Sequence, residues 1–183
     1  MIKLSFYFFG ILLLFSLCKK KGKYNSKACN GNTRREVKIC TDYQAAFIDT
    51  TVIPISVKNF GDIVVPSSVK SETLRQAVEF KTYSIKAKVD KSKKERDGDV
   101  HLRLIDDEGN YVICESANPN CDYAQQSLFL NKIKEVRAFI EANDLEGKTI
   151  YITGIAFIDI DHVYKRKQAK NNMELHPILK ISF

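Results

Sequence analysis

The run from Asp97 to Glu115 limits the possible folds of this chain more than any other stretch. Val100, Leu102 and Leu104 alternate with His101 and Arg103, the period-two pattern of a strand with one dry face. Asp106-Asp107-Glu108-Gly109-Asn110 follows with turn residues, because Gly and Asn enter positive φ at little cost. Tyr111 to Glu115 then runs back, so the stretch reads as a β-hairpin. A lone hairpin is marginal in water and needs further strands against which to bury its apolar face.

Those strands are legible on both sides. Tyr83, Ile85, Ala87 and Val89 alternate with Ser84, Lys86, Lys88 and Asp90, and Lys91 to Arg96 reads as a charged loop or extended hairpin end. Asn118-Pro119-Asn120 ends the third strand. Ser127 to Asn143 carries Phe129, Ile133, Val136 and Ile140 at helical spacing, with Gly147 as a stop signal. Thr149–Asp159 reads as a fourth strand, in which Gly154 predicts a bulge. His162 to Asn172 is a basic polar loop, and Glu174–Phe183 forms the last strand. The order strand, strand, strand, helix, strand, strand predicts a mainly β chain with one helix, an OB-fold-like five-stranded Greek-key barrel over residues 80–183.

Upstream, residues 34–79 read as an extension packing on the barrel. Thr50–Val57 is rich in β-branched residues and broken by Pro54, which predicts an edge strand, and Ser71–Leu74 reads as the cap of a helical turn. The chain of 183 residues has room for one such domain plus its extension.

The formal net charge is +7, yet Lys3, Lys19, Lys20, Lys21, Lys23 and Lys27 carry six of those charges within a segment that holds no acid. The folded part is therefore close to neutral, and a nucleic-acid partner is not expected. Leu4 to Leu17 is almost wholly apolar, too short for a bilayer span and suited to a secretory signal. Its ending, Leu14-Phe15-Ser16-Leu17-Cys18, resembles a bacterial lipoprotein signal, which implies cleavage after residue 17 and lipid on Cys18. Residues 18–33 then form a tether whose lysines face anionic head groups, and the membrane becomes a partner. The expected location is the bacterial cell envelope, on its periplasmic or surface face.

Cys29, Cys40, Cys114 and Cys121 remain. An even number in an exported chain suggests two disulfides, and local pairing (Cys29 with Cys40, Cys114 with Cys121) is the preferred arrangement among the three connectivities.

The barrel order brings the three histidines and several acids toward one barrel end. His101, Asp159, His162, Asn172, Glu174 and His176 are the expected ligand contacts. Asp99, His101, Glu174 and His176 are the groups that could act as general acid or base. His101, His162 and His176 could ligate zinc or another divalent ion. The bland alternative, and the favoured one, is a buried polar network in which each imidazole is held by a carboxylate or a backbone group.

Asp97-Gly98-Asp99 is similar to a segment of the staphylococcal-nuclease-like OB enzymes. Those enzymes also need an arginine and further acids; Glu115 and Arg137 are the available stand-ins, at spacings that do not match. Arg35-Glu36-Val37-Lys38, the Glu95–Leu102 segment, Glu115 with Pro119 and Cys121, Gly154–Asp159 and Asn172-Met173-Glu174-Leu175-His176-Pro177 resemble an uncharacterised family of exported bacterial domains. Its members share a Glu-x-Asp-Gly-Asp-x-His hairpin and a terminal Glu-Leu-His-Pro strand. The resemblance implies a common fold and a site around Asp99, His101, Asp159, His162, Glu174 and His176, with no activity attached. The resulting expectation is a lipid-anchored envelope protein with an OB-like binding or scaffolding domain. The alternative is a metal-dependent hydrolase, of phosphodiesterase or nuclease-like type.

Overall fold

The computed structural model describes Cys29 and residues 34–66, 69–160 and 170–183. Cys18, the signal-like segment, most of the tether, Asp161 and His162 lie outside the described residues. The described residues form six strands: β1 (Asp49–Pro54), β2 (Lys81–Lys94), β3 (Val100–Ile105), β4 (Tyr111–Ser116), β5 (Thr149–Ile158) and β6 (Met173–Ser182). β2 runs antiparallel to β3, β3 to β4, β5 to β6 and β2 to β5, while β4 and β6 pair in parallel. The ring β2-β3-β4-β6-β5-β2 therefore closes, with the helix α3 (Leu130–Ala142) between its third and fourth strands. That strand order and helix position define an OB-like barrel.

Closure depends on the 14-residue length of β2. Its first half, Thr82–Lys88, pairs with β5, and its second half, Lys88–Lys94, pairs with β3 across a bulge between Val89 and Lys91. The charged segment Lys91–Lys94 is thus the extended end of a hairpin. Gly154 lies where the β5–β6 register shifts; a side chain there would place its Cβ 2.9 Å from Leu175 Cβ and 3.1 Å from the Pro177 carbonyl. Glycine is required at this bulge because β6 passes too close for a side chain.

Alternation sorts the strand residues into two sets. Ile85, Val89, Leu102, Leu104, Val112, Cys114, Ile150, Ile152 and Leu175 point inward and are fully buried, joined from α3 by Val136 and Ile140. Each large side chain so buried stabilises the fold by about 1.5–3 kcal/mol.

The described residues between 34 and 80 wrap the barrel. They comprise α1 (Arg35–Lys38), a 3-10 turn (Tyr43–Phe47), β1 parallel to β2 at the sheet edge, α2 (Val57–Gly61) and a second 3-10 turn (Ala77–Phe80). Arg34 is the rivet. Its guanidinium donates to both carboxylate oxygens of Glu79 (2.9 and 2.7 Å) and to the carbonyls of Ile158, Thr73 and Leu74. Glu79 in turn accepts from the Ile158 amide at 2.8 Å, so the arginine, the acid and a β5 edge group satisfy one another in a dry setting.

The cysteine pairing differs from the local arrangement expected above. Cys29 bonds to Cys121, 92 residues away, while Cys40 and Cys114 are buried free thiols. The reason is strand periodicity. Cys114 follows Val112 by two and so faces the barrel interior, whereas Cys121 lies beyond Pro119 on the outer connection to α3. Cys40 is folded under Arg75 among Ala45, Ile48 and Ile155, and burial pushes its thiol up to about 12.

Candidate functional site

The β2–β3 turn begins the site. Gly98 has φ of +90°, and the Asp97 carboxylate accepts the Asp99 amide at 3.1 Å, a local arrangement that delivers Asp99 just before β3. Asp99 is held by the Asn118 amide at 2.7 Å. Because Val100, Leu102 and Cys114 face inward, their neighbours His101 and Glu115 face outward, and the two are cross-strand partners. The histidine Nδ1 lies 2.9 Å from Glu115 Oε1.

The parallel β4–β6 pairing then carries the C-terminal strand alongside. Leu175 stands opposite Cys114, so His176 arrives on the outer wall next to Glu115. Its Nδ1 is 2.7 Å from the Lys38 carbonyl, which can only accept, so Nδ1 carries the hydrogen and donates. Nε2 points the other way, 3.4 Å from Asp99 Oδ2 and 3.6 Å from Glu115 Oε2. Lys38, the last residue of α1, reaches over the group with Nζ 2.5 Å from Glu115 Oε2 and 4.0 Å from Asp99 Oδ2. From α3, Arg137 Nη2 donates to the carbonyls of Gly98, Ser116 and Ala117 and ties the turn to the end of β4.

The electrostatics follow from burial and charge count. Burial opposes the charge on Lys38, but the carboxylates of Glu115, Glu174 and Asp99 outweigh it and hold the ammonium pKa above its usual value. Burial likewise opposes charge on Glu115, yet Lys38, with the His101 hydrogen bond and His176 behind it, holds this carboxyl well below the usual carboxylate range. Glu174 behaves oppositely: burial, reinforced by Glu115 and Asp159, drives it up. Burial and the Asp99 charge also raise Asp97.

Of the residues expected from sequence, Asp99, His101 and His176 come together around Glu115. Glu174 is buried on β6 in register with Ile113 and Phe157. Asp159 and Asn172 meet at the root of the β5–β6 connection, where the Asp159 amide donates to the Asn172 carbonyl at 2.9 Å. His162 lies outside the described residues. The cluster occupies the outer wall of β3, β4 and β6 beneath α1, where His176 is fully buried, instead of an open barrel end.

Asp99, Glu115 and His176 present ligand atoms within 4.8 Å of one another, a spacing that could hold a divalent ion. The donation from His176 Nδ1 to a carbonyl is also an orientation found in metal sites. Lys38 weighs against that use, since its ammonium already neutralises Glu115. Sequence reading missed Lys38 as a member of the site. Its local signals are a charge flanked by the buried Val37 and Ile39 and its place in the Arg35-Glu36-Val37-Lys38 segment of the resemblance. Arg137, the available stand-in for the arginine of the nuclease-like enzymes, spends Nη2 on backbone carbonyls.

No protein family matches the chain, and no curated protein does. Among solved structures, the asparaginyl-tRNA synthetase of Entamoeba histolytica is similar at 13% identity and a TM-score of 0.39, over 73% of this chain and 24% of the synthetase. The strand order, and not this likeness, defines the barrel.

Proposed function

We propose that the chain is a lipid-anchored cell-envelope protein whose OB-like domain is a binding or scaffolding module, with the acid–imidazole cluster acting as a lock for its N-terminal segment. The observation that carries this reading is the position of Lys38. Its ammonium sits against Glu115 and near Asp99, so the cation that two buried carboxylates require is supplied by the chain itself. Burial of His176 beneath the Lys38 carbonyl supports the same view, since the imidazole cannot meet a substrate without removal of α1. Contact with an envelope ligand then falls to the partly exposed His101, Asp159 and Asn172. The Cys29–Cys121 bridge supports an oxidising, extracytoplasmic location, and the Leu14–Cys18 ending supports lipid on Cys18.

The test is metal analysis of untagged full-length protein, paired with labelling by a radioactive fatty acid. Metal-free protein of undiminished stability, with label that disappears in Cys18→Ala, is the expected result. Stoichiometric zinc that is lost in His176→Ala would replace the lock with a metal-dependent hydrolase. Equal labelling of Cys18→Ala would remove the anchor.

A further inference from the structure

The outer wall of β2, β5 and β6 is divided in two. At one end the N-terminal segment covers it, packing Cys40, Ala45, Ile48 and Phe80 over Ile155 and Leu179. The other end is bare. There Lys86 and Lys88 on β2, Thr149 and Tyr151 on β5, and Lys180 on β6 all face solvent, while the residues between them, Ile85, Ala87, Ile150, Ile152 and Ile181, face the core. Cross-strand register makes these neighbours: Lys86 stands opposite Tyr151, Lys88 opposite Thr149, and Thr153 opposite Lys180.

No outward position in this set is acidic, although the folded part as a whole is nearly balanced in charge. Acids occur only at its ends: Asp49 paired with Lys81, Asp90 with Arg103, and Glu146 turned to the Ser92 amide. One aromatic ring stands among the lysines: Tyr151 is 44% exposed, and Lys86 Nζ lies 5.0 Å from its ring centre. A half-exposed ring beside lysines, whose stems cover apolar surface while their heads seek charge, suits the boundary between head groups and water.

We infer that this bare face docks on the anionic surface of the membrane. The inference takes the anchor on Cys18 from the proposed function. The disulfide makes the geometry tight: because Cys29 is tied to Cys121, only the chain from Cys18 to Cys29 separates lipid from barrel. Eleven residues span at most about 40 Å fully extended, about the diameter of a domain this size. The barrel is thereby held within its own width of the head groups, and this lysine-bearing face, with no acid among its outward positions, turns toward them. A single-stranded nucleic acid could use the same ring and lysines, and the test separates the two.

The experiment uses the chain beginning at Lys19, which retains every described residue, with its disulfide formed. Sedimentation with phosphatidylcholine vesicles containing about 30% phosphatidylglycerol measures binding without a lipid anchor, so its outcome is independent of whether Cys18 is acylated. The double substitution Lys86→Glu/Lys180→Glu is expected to weaken binding by at least tenfold, since each lysine near such a surface contributes about fivefold. Lys93→Glu/Lys94→Glu, at the far end of β2, is expected to leave it within about twofold. Unchanged thermal unfolding of both variants shows that the barrel is intact. Equal losses in the two variants, or no loss in the first, would overturn the docking face. Tighter binding of this face to an oligonucleotide than to the vesicles would overturn the membrane as its partner.

Discussion

Lys38→Met removes the ammonium from the buried cluster while keeping most of the side-chain volume. The ammonium lies 2.5 Å from Glu115 and 4.0 Å from Asp99, with side-chain exposures of 11% for the lysine, 9% for Glu115 and 1% for Asp99, so little water screens it. Removing one partner of a buried pair costs about 3–5 kcal/mol, because the other charge is left uncompensated. Against a total stability of about 5–15 kcal/mol that is a large share, and it corresponds to a Tm lower by roughly 10 °C in a domain of this size. Lys58→Met, which breaks the half-exposed Lys58–Asp62 pair, is expected to leave Tm unchanged.

The double substitution Lys38→Met/Glu115→Gln should recover much of the loss, since it removes the stranded charge along with its partner. The pH dependence has a definite sign. Lys38 lowers the folded-state pKa of Glu115, so its contribution is present above the unfolded value of about 4.3 and is lost as pH falls through the lower folded value. The difference between wild type and Lys38→Met should therefore be full at neutral pH and shrink on acidification below about 4. Thermal unfolding followed by circular dichroism, repeated across that range, measures every term. A Lys38→Met protein within 1 °C of wild type at neutral pH, or a double variant no better than the single one, would refute the lock.

Glu174 carries the opposite sign. Burial, then Glu115 and Asp159, raise its folded pKa, so its contribution is full below about pH 4.3 and declines as pH rises; Glu174→Gln should flatten the stability–pH curve and gain on wild type at alkaline pH, as read from urea midpoints. Peptide mapping without reduction should recover a Cys29–Cys121 link, with Cys40 and Cys114 alkylated only after unfolding. Cys29→Ser should lower stability by about 2–5 kcal/mol in chemical denaturation, reflecting the long loop that the bridge closes.

The barrel was legible because its information is local. Alternation in Tyr83–Val89 and Val100–Leu104 names both strands and inner faces, and Gly154 marks the bulge where β6 closes in. The cysteine pairing was partly hidden: the periodicity that places Cys114 inside with Val112 is readable, but nothing near Cys29 names a partner 92 residues away. The site was half legible for the same reason. Strand order brings Asp99, His101 and His176 near one another. Lys38, by contrast, reaches Glu115 only because Arg34 and Glu79 pin the preceding turn to β5. Such long-range ionic contacts leave no periodic trace in the chain.

The bridge between Cys29 and Cys121 also decides where mechanical load travels. Under the proposed anchor, tension on the N-terminal side of Cys29 would enter the barrel at the β4–α3 connection and bypass α1 and β1. Without that shunt the same pull would peel Arg34 and Lys38 from their partners one at a time. With it, the outer wrap rides slack while the closed ring of strands bears the strain.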